Sequence, residues 1–248
     1  MAVDLALAES VRRGESRPVL RFYTWSQPAI SCGHFQRIEQ ELDLQACRRK
    51  GVAVVRRPTG GRAVRHGSDL TLTIVAQEAE PGIGGSIEET YRRAAEAIAW
   101  GLRGLGIPIG LVRSQASGGE ILGSASCFAS KSRHELVLDG RKAFGCAQRR
   151  RDGVILCQGS LQLWGDGDIP PEWLKRPGGG PVGNSKGSPA SSNIPLGVVK
   201  EAIAGGFRQV LAADLESSRL TNQELEEAQS LLGSLAPPSE AEFSRLSP

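Results

Sequence analysis

Apolar residues along this chain either alternate with polar ones or recur every third or fourth position, and the two periods divide it into strands and helices. The opening stretch, Met1-Ala-Val-Asp-Leu-Ala-Leu-Ala-Glu, has the spacing of an amphipathic helix. Two β-rich runs follow, Val19 to Trp25 and Ala29 to Cys32, joined by a Ser-Gln-Pro turn. A charged helix is expected from about Ile38 to Lys50, ended by Gly51. Val52 to Arg56 reads as a short strand leading directly into Pro58-Thr59-Gly60-Gly61, and Leu70 to Ala76 alternates as a strand. The best-marked helix comes next. Ser86-Ile87-Glu88-Glu89 is a capping box, in which Ser86 and Glu89 satisfy free backbone donors reciprocally. Ile87, Tyr91, Ala94, Ile98, Leu102 and Leu105 then recur at helical spacing, and Gly106 stops the run.

Ile107 to Val112 has the composition of another strand, followed by a Gly/Ser-rich loop. Glu135 to Asp139, Lys142 to Gln148 and Val154 to Leu163 read as an antiparallel meander, with hairpin turns at Asp139-Gly140 and Asp152-Gly153. From Trp164 to Gly197 the composition shifts to Gly, Pro, Ser and Asn, which predicts a long loop. Two helices close the pattern, Leu196 to Ala213 and Thr221 to Leu232, the second with its own Thr221…Glu224 capping box. Ala236 to Pro248 lacks an apolar period and is expected to be loose. The expectation is one α/β (α+β) domain over residues 1–235, with a mixed or antiparallel sheet and flanking helices.

Composition narrows the function classes. No apolar stretch approaches the roughly 20 residues that span a bilayer. The start carries acids and no basic n-region, so a cytoplasmic protein is expected rather than a secreted one. The net charge of +3 is too small to imply nucleic acid. The basic residues are nonetheless clustered: Arg56, Arg57, Arg62 and Arg65, then Lys131, Arg133, Arg141, Lys142, Arg149, Arg150 and Arg151. Gathered on one face they would attract an acidic protein or a phosphorylated ligand; spread out they are solvated surface charge. The five cysteines, Cys32, Cys47, Cys127, Cys146 and Cys157, form no CxxC pair, so neither a zinc site nor a thioredoxin-like motif is indicated. The ordinary reading of each is a small buried hydrophobe. His34, His66 and His134 have no carboxylate motif around them, and no metal is expected.

The most informative stretch is Arg56-Arg57-Pro58-Thr59-Gly60-Gly61-Arg62-Ala63-Val64-Arg65-His66. Two glycines after a strand let backbone amides face an acyl or phosphate oxygen, and the arginines add charge-assisted donors. The spacing is that of neither a P-loop nor a dinucleotide fingerprint. Taken alone, a plain basic turn fits as well as a binding loop.

The whole arrangement resembles the biotin/lipoate A/B protein ligase family. LRFYTWSQPAISCGHFQ followed by RRPTGGRAVRHGSDLT carries that family's strand, R-R-x-T-G-G-x-A-V-x-H loop and second strand. Ser126-Cys127-Phe128, with Gly140-Arg-Lys142-Ala-Phe-Gly145-Cys-Ala-Gln148, is closest to the family's octanoyltransferase branch, the LipM type. The likeness covers residues 2 to about 163. It implies a catalytic domain of the class II synthetase/biotin ligase type, and an acyltransferase that moves octanoyl from acyl carrier protein, through a cysteine acyl-enzyme, to the lipoyl-domain lysine of GcvH or an E2 protein. No cofactor is then needed, because passing from thioester to thioester is nearly isoenergetic and passing from thioester to amide is downhill.

On this resemblance Cys127 is the nucleophile and Lys142 its partner, an ammonium that favours the thiolate, stabilises the oxyanion and handles the proton of the incoming amine. Arg57, Thr59, Gly60, Gly61, Arg62, Ala63, Val64, His66, Gly145 and Ala147 are the implied substrate-binding set, with Gly145 admitting the substrate backbone. Burying seven carbons of the acyl chain at about 0.8 kcal/mol each contributes on the order of 5 kcal/mol. Val64, Leu72, Ile74, Ala143 and Phe144 are candidate tunnel walls, or ordinary core. Cys146 stands mid-strand and is the less suitable nucleophile; Cys32, Cys47 and Cys157 are read as structural. Three positions depart from the pattern: Gln158 stands where relatives carry His, Arg62 where ligases have a third glycine, and Gly67 where they have Asp. The competing readings are an ATP- and Mg-dependent lipoate-protein ligase, an amidotransferase acting between lipoyl domains, and a silent carrier-protein-binding module.

Overall fold

A computed structural model of the chain describes residues 1–112, 134–164, 169–175 and 194–235. Cys127 with its Ser-Cys-Phe motif, most of the long Gly/Pro-rich loop and the C-terminal tail lie outside the described residues.

Among the described residues, nine strands form two sheets. β1 (Val19–Tyr23), β5 (Leu70–Gln77), β9 (Val154–Leu161), β8 (Arg141–Arg151), β7 (Leu136–Leu138) and β6 (Gly110–Leu111) make a six-stranded antiparallel sheet in that spatial order. β2 (Ala29–Cys32) is the centre of a small mixed sheet, parallel to β3 (Ala53–Arg56) and antiparallel to β4 (Val64–His66). The β7–β8 and β8–β9 hairpins turn at Asp139-Gly140 and Asp152-Gly153, all four residues with positive φ, as two-residue turns matched to strand twist require. The fold is the antiparallel sheet with flanking helices that the pattern predicts.

One face of the large sheet is apolar by alternation. Leu70, Leu72 and Ile74 of β5, with Ile155, Cys157 and Leu161 of β9, meet the buried stripe Ala94, Ala97, Ile98 and Leu102 of α4 (Ile87–Gly104). α4 starts at the expected capping box, in which Ser86 and Glu89 each accept the other's backbone N–H. α5 (Leu196–Leu211) crosses α4 at glycine contacts: a Cβ on Gly101 would stand 2.1 Å from the Ala202 carbonyl oxygen, and one on Gly206 1.9 Å from that of Ala97. On the opposite face, α1 (Ala2–Arg12) packs Leu7 and Val11 on Val75, Val154 and Leu156. α6 (Asn222–Ser230), capped by Thr221 and Glu224, lies beyond α1. No helix among the described residues is long and apolar enough to cross a membrane.

Some expectations are corrected. The helix expected over 38–50 is two, α2 (Ile38–Glu41) and α3 (Leu44–Arg49). Leu42 leaves the helix to bridge Leu174, and Asp43 recaps it by accepting from Ala46 N. The strand expected over Ile107 to Val112 is reduced to Gly110–Leu111. Of the two readings open for Leu72, Ile74, Ala143 and Phe144, tunnel wall or ordinary core, they take the second, in the main core under α4 and α5.

Candidate active site

The second face of the large sheet carries the unusual feature of this chain, a buried polar layer. The residues that alternate with the core positions are Thr71 and Thr73 on β5 and Gln158 and Ser160 on β9, all at most 5% exposed. A sheet face of this kind normally meets water, and burying it is costly unless every group finds a partner. Here the small sheet and α1 cover it, and Gln158 finds partners on both sides, Thr59 and Asp4.

Asp69 sits at the centre. Its carboxylate accepts from His66 Nδ1 at 2.8 Å, Ser160 Oγ at 2.7 Å, Thr71 Oγ at 3.0 Å and the Gly67 amide at 3.2 Å. Burial pushes the Asp69 carboxyl up, but the hydrogen bonds from His66, Ser160 and Gly67 outweigh it and hold the group below its ordinary range. The His66 ring stacks on Trp25 with centroids 4.3 Å apart, and its Nε2 lies 2.7 Å from Ser31 Oγ. Alongside, Thr59 donates to Gln158, and the Gln158 amide donates to Asp4 at 2.7 Å.

The double-glycine turn is held by arginines turned inward. Arg57 donates to the carbonyls of Ser31, Gly60 and Arg62 at 2.6–2.8 Å, and to Ser31 Oγ at 3.2 Å. Arg56 donates to the His34 and Gln36 carbonyls of the preceding turn. Gly33 packs backbone to backbone on this loop, since a Cβ there would lie 1.8 Å from Gly61 O. Gly61 itself has φ +84, a conformation that favours glycine.

Between the two sheets lies a shallow cleft of about 50 Å³, open to solvent. Of the substrate-binding set read from sequence, Arg57, Gly61, Val64, His66, Gly145 and Ala147 line it. Thr59, Gly60, Arg62 and Ala63 do not. Thr59 is buried against Gln158, Gly60 and Arg62 offer their carbonyls to Arg57, and Ala63 packs in the small core beneath β2 with Ile30 and Cys32. Ser31, Thr71, Gln158 and Ser160 also line the cleft, and sequence reasoning did not select them. The spacing of His66 to Asp69 was a usable signal for the pair; the approach of Ser31 from another strand was not. A larger hollow between α1 and the hairpin end of β8 and β9 contains none of the motif residues.

Lys142 packs over Gly145, which lines the cleft. Its ammonium pairs with Glu135 at 2.5 Å, and its side chain is 2% exposed. A Cβ on Gly145 would fall 2.4 Å from Lys142 Cε and 2.7 Å from Nζ, so this glycine makes room for the lysine. Cys146 borders the cleft, but its side chain packs against the main core. A hydrogen bond with Cys157 and burial push its thiol well above the ordinary range. Burial drives the Cys32 thiol up to about 12 and also raises that of Cys47. None of these three is a ready thiolate. Among the described residues no cluster of His, Cys, Asp and Glu could hold a metal ion.

Comparison with known proteins gives a consistent picture. The lipoyl protein ligase A/B catalytic domain family matches residues 1–178. The octanoyltransferase LipM of Kyrpidia tusciae is 39% identical, over 94% of this chain and 89% of its own length. That of Anoxybacillus flavithermus is 36% identical, over 91% and 86%. Among solved structures, a lipoate-protein ligase A bound with ATP aligns with a TM-score of 0.73 at 26% identity, covering 93% of this chain and 87% of its own.

Proposed function

The chain belongs to the lipoyl protein ligase A/B catalytic domain family and is an octanoyltransferase, and on that premise we propose how and with which partners it works. The acyl donor is octanoyl acyl carrier protein and the acceptor is the lipoyl-domain lysine of GcvH or an E2 protein. Residues 1–235 act as one catalytic domain in the cytoplasm, without a cofactor. Cys127 takes the octanoyl group from the donor thioester as a thioester of its own, and the acceptor amine then displaces it as an amide.

The observation that carries this reading is Lys142, buried, paired with Glu135 and laid over Gly145, a residue of the cleft lining. A lysine so enclosed is a fixed positive charge. It lowers the energy of a thiolate brought beside it and of the oxyanion that forms when a thioester is attacked. Three of the four described cysteines have thiols shifted away from reactivity, and the fourth, Cys157, is fully buried, which supports Cys127 in this role. Six residues of the binding set read from sequence line the same cleft and supply its glycine-loop wall.

The test is intact-protein mass after incubation with octanoyl carrier protein, followed by peptide mapping. One octanoyl group on Cys127, discharged by added lipoyl domain and absent from Cys127→Ala, is the expected result. An adduct elsewhere, or undiminished transfer by Cys127→Ala, overturns the assignment. The likeness to an ATP-bound lipoate-protein ligase favours a second reading, an ATP-dependent ligase. That reading requires pyrophosphate release from ATP with free lipoate, and indifference to the loss of Cys127.

A further inference from the structure

Amide formation needs a base, and the cleft wall offers one besides Lys142. The incoming lysine nitrogen must shed protons, whereas the Lys142 ammonium is held by a carboxylate at 2.5 Å. We propose that Ser31, His66 and Asp69 form a proton relay that takes the proton of the acceptor amine during acyl transfer. The inference rests on the acyl-enzyme reading above.

The hydrogen-bond donors set the direction of the relay. Asp69 accepts from Ser160, Thr71 and the Gly67 amide, and as a carboxylate it has no proton to give, so His66 Nδ1 carries the hydrogen between them. Nε2 then presents its lone pair to the Ser31 hydroxyl at 2.7 Å. Arg57 donates to the same Ser31 oxygen at 3.2 Å and to its carbonyl at 2.8 Å, which fixes the hydroxyl on the cleft wall. Trp25 stacks on the ring and donates its indole N–H to Thr71, so the imidazole cannot swing away. Ser31 and His66 both line the cleft that Gly145 borders. A nucleophile or an amine facing a hydroxyl, an imidazole and a buried carboxylate in this order meets the acid–base logic of a serine–histidine–aspartate triad. Here it acts on an acceptor nitrogen.

The acceptor ammonium loses one proton to solvent on entry. Its free amine adds to the thioester carbonyl, forming the C–N bond, while the second proton passes to Ser31 Oγ and the Ser31 hydroxyl proton passes to His66 Nε2. The C–S bond breaks with its electron pair left on the Cys127 sulfur, and the imidazolium beside Asp69 returns its proton to solvent. Ser31 is the catalytic residue that touches the amine; His66 and Asp69 are positioning residues acting through it. The charged groups facing His66 are Asp69 from its own turn and, through Ser31, Arg57; β5 and β9 present the uncharged Thr71 and Ser160 to the same carboxylate.

The two half-reactions separate the outcomes. Wild type, Ser31→Ala and His66→Gln are acylated with octanoyl carrier protein, and adduct formation is timed by intact mass. The isolated acyl-enzymes are then mixed with lipoyl domain across a pH series. Discharge slowed about 10²–10⁴-fold, by a factor at least about tenfold greater than any slowing of acylation, is expected of both variants. The acid limb of the wild-type discharge profile should vanish in His66→Gln, and added imidazole should restore discharge to His66→Ala. Discharge at the wild-type rate, equal loss of both half-reactions, or failure of imidazole rescue overturns the relay. Absence of any Cys127 adduct in wild type is a different result, because it removes the acyl-enzyme reading itself.

Discussion

Gly145→Ala is the sharpest probe of the site, because the methyl group strikes the lysine and little else. The added Cβ lies 2.4 Å from Lys142 Cε, 2.7 Å from Nζ and 3.8 Å from Glu135 Oε1. Carbon atoms rest at about 3.5–4.0 Å, so the end of the lysine must withdraw by roughly 1 Å or more. The struck atoms are the tip of a flexible side chain, and Gly145 is not among the positive-φ glycines, so the backbone accepts alanine. Alanine also restricts the unfolded chain, a stabilisation of about 0.4–1 kcal/mol. Moving the ammonium without deleting it costs less than the roughly 3–5 kcal/mol of removing one partner of a buried pair. Stability should therefore change little. Activity should not be spared, since a misplacement of about 1 Å in a catalytic group costs on the order of 10²-fold, or about 2.7 kcal/mol of barrier. Single-turnover octanoyl transfer read by intact mass, beside a thermal melt, measures both. A Gly145→Ala protein that transfers at the wild-type rate refutes the placement of Lys142 as the working charge. A melt that falls as steeply as activity refutes the separation of fold from function.

Three further outcomes are expected. Gly33→Ala, whose Cβ would stand 1.8 Å from Gly61 O, should cost about 1–3 kcal/mol by denaturant midpoint, whereas Gly60→Ala, with open space around it, should keep wild-type stability. Asp69→Asn should be less stable than wild type at neutral pH. A carboxyl held low in the folded state stabilises fully above the unfolded value of about 4 and stops doing so as pH falls through its folded value, so the gap in melting temperature should close on acidification. A gap that widens contradicts the hydrogen-bond account. Cys32, whose thiol burial drives up to about 12, should resist iodoacetamide at pH 8 in the native protein and react once it is unfolded, as peptide mass will show.

Local chemistry was legible in the sequence to the extent that it was local. Both capping boxes, the two Asp-Gly hairpin turns and the Leu70–Ile74 alternation depend on neighbours within a few residues, and each appears where expected. The choice between tunnel wall and ordinary core was not legible, because an alternating strand has two buried faces here: Leu72 and Phe144 fell on the one facing α4 and α5, while Val64 lines the cleft. Period alone cannot say that the opposite, polar face is covered as well. Thr71, Gln158 and Ser160 look like solvent-facing positions until the small sheet and α1 close over them. The division of the 38–50 helix turns on Leu42 meeting Leu174, a contact more than a hundred residues away in sequence.

The same geometry bears on how one fold serves ligases and transferases. The double-glycine loop is the most recognisable motif in the chain, yet Arg57 spends its guanidinium on the carbonyls of Ser31, Gly60 and Arg62, and Arg56 spends its own on those of His34 and Gln36. The loop's charges hold its shape, and a shape is compatible with either an adenylate or a thioester. Lys142 does not discriminate either, because a buried ammonium stabilises developing negative charge in both chemistries. The distinction has to come from the nucleophile. Lys142→Met should abolish acyl transfer from any donor, while Cys127→Ala should abolish transfer from octanoyl carrier protein and leave an ATP-driven reaction untouched. A Cys127→Ala protein that still charges the lipoyl domain from carrier protein would mean that the amine attacks the donor thioester directly, with Lys142 and the glycine loop sufficient for catalysis.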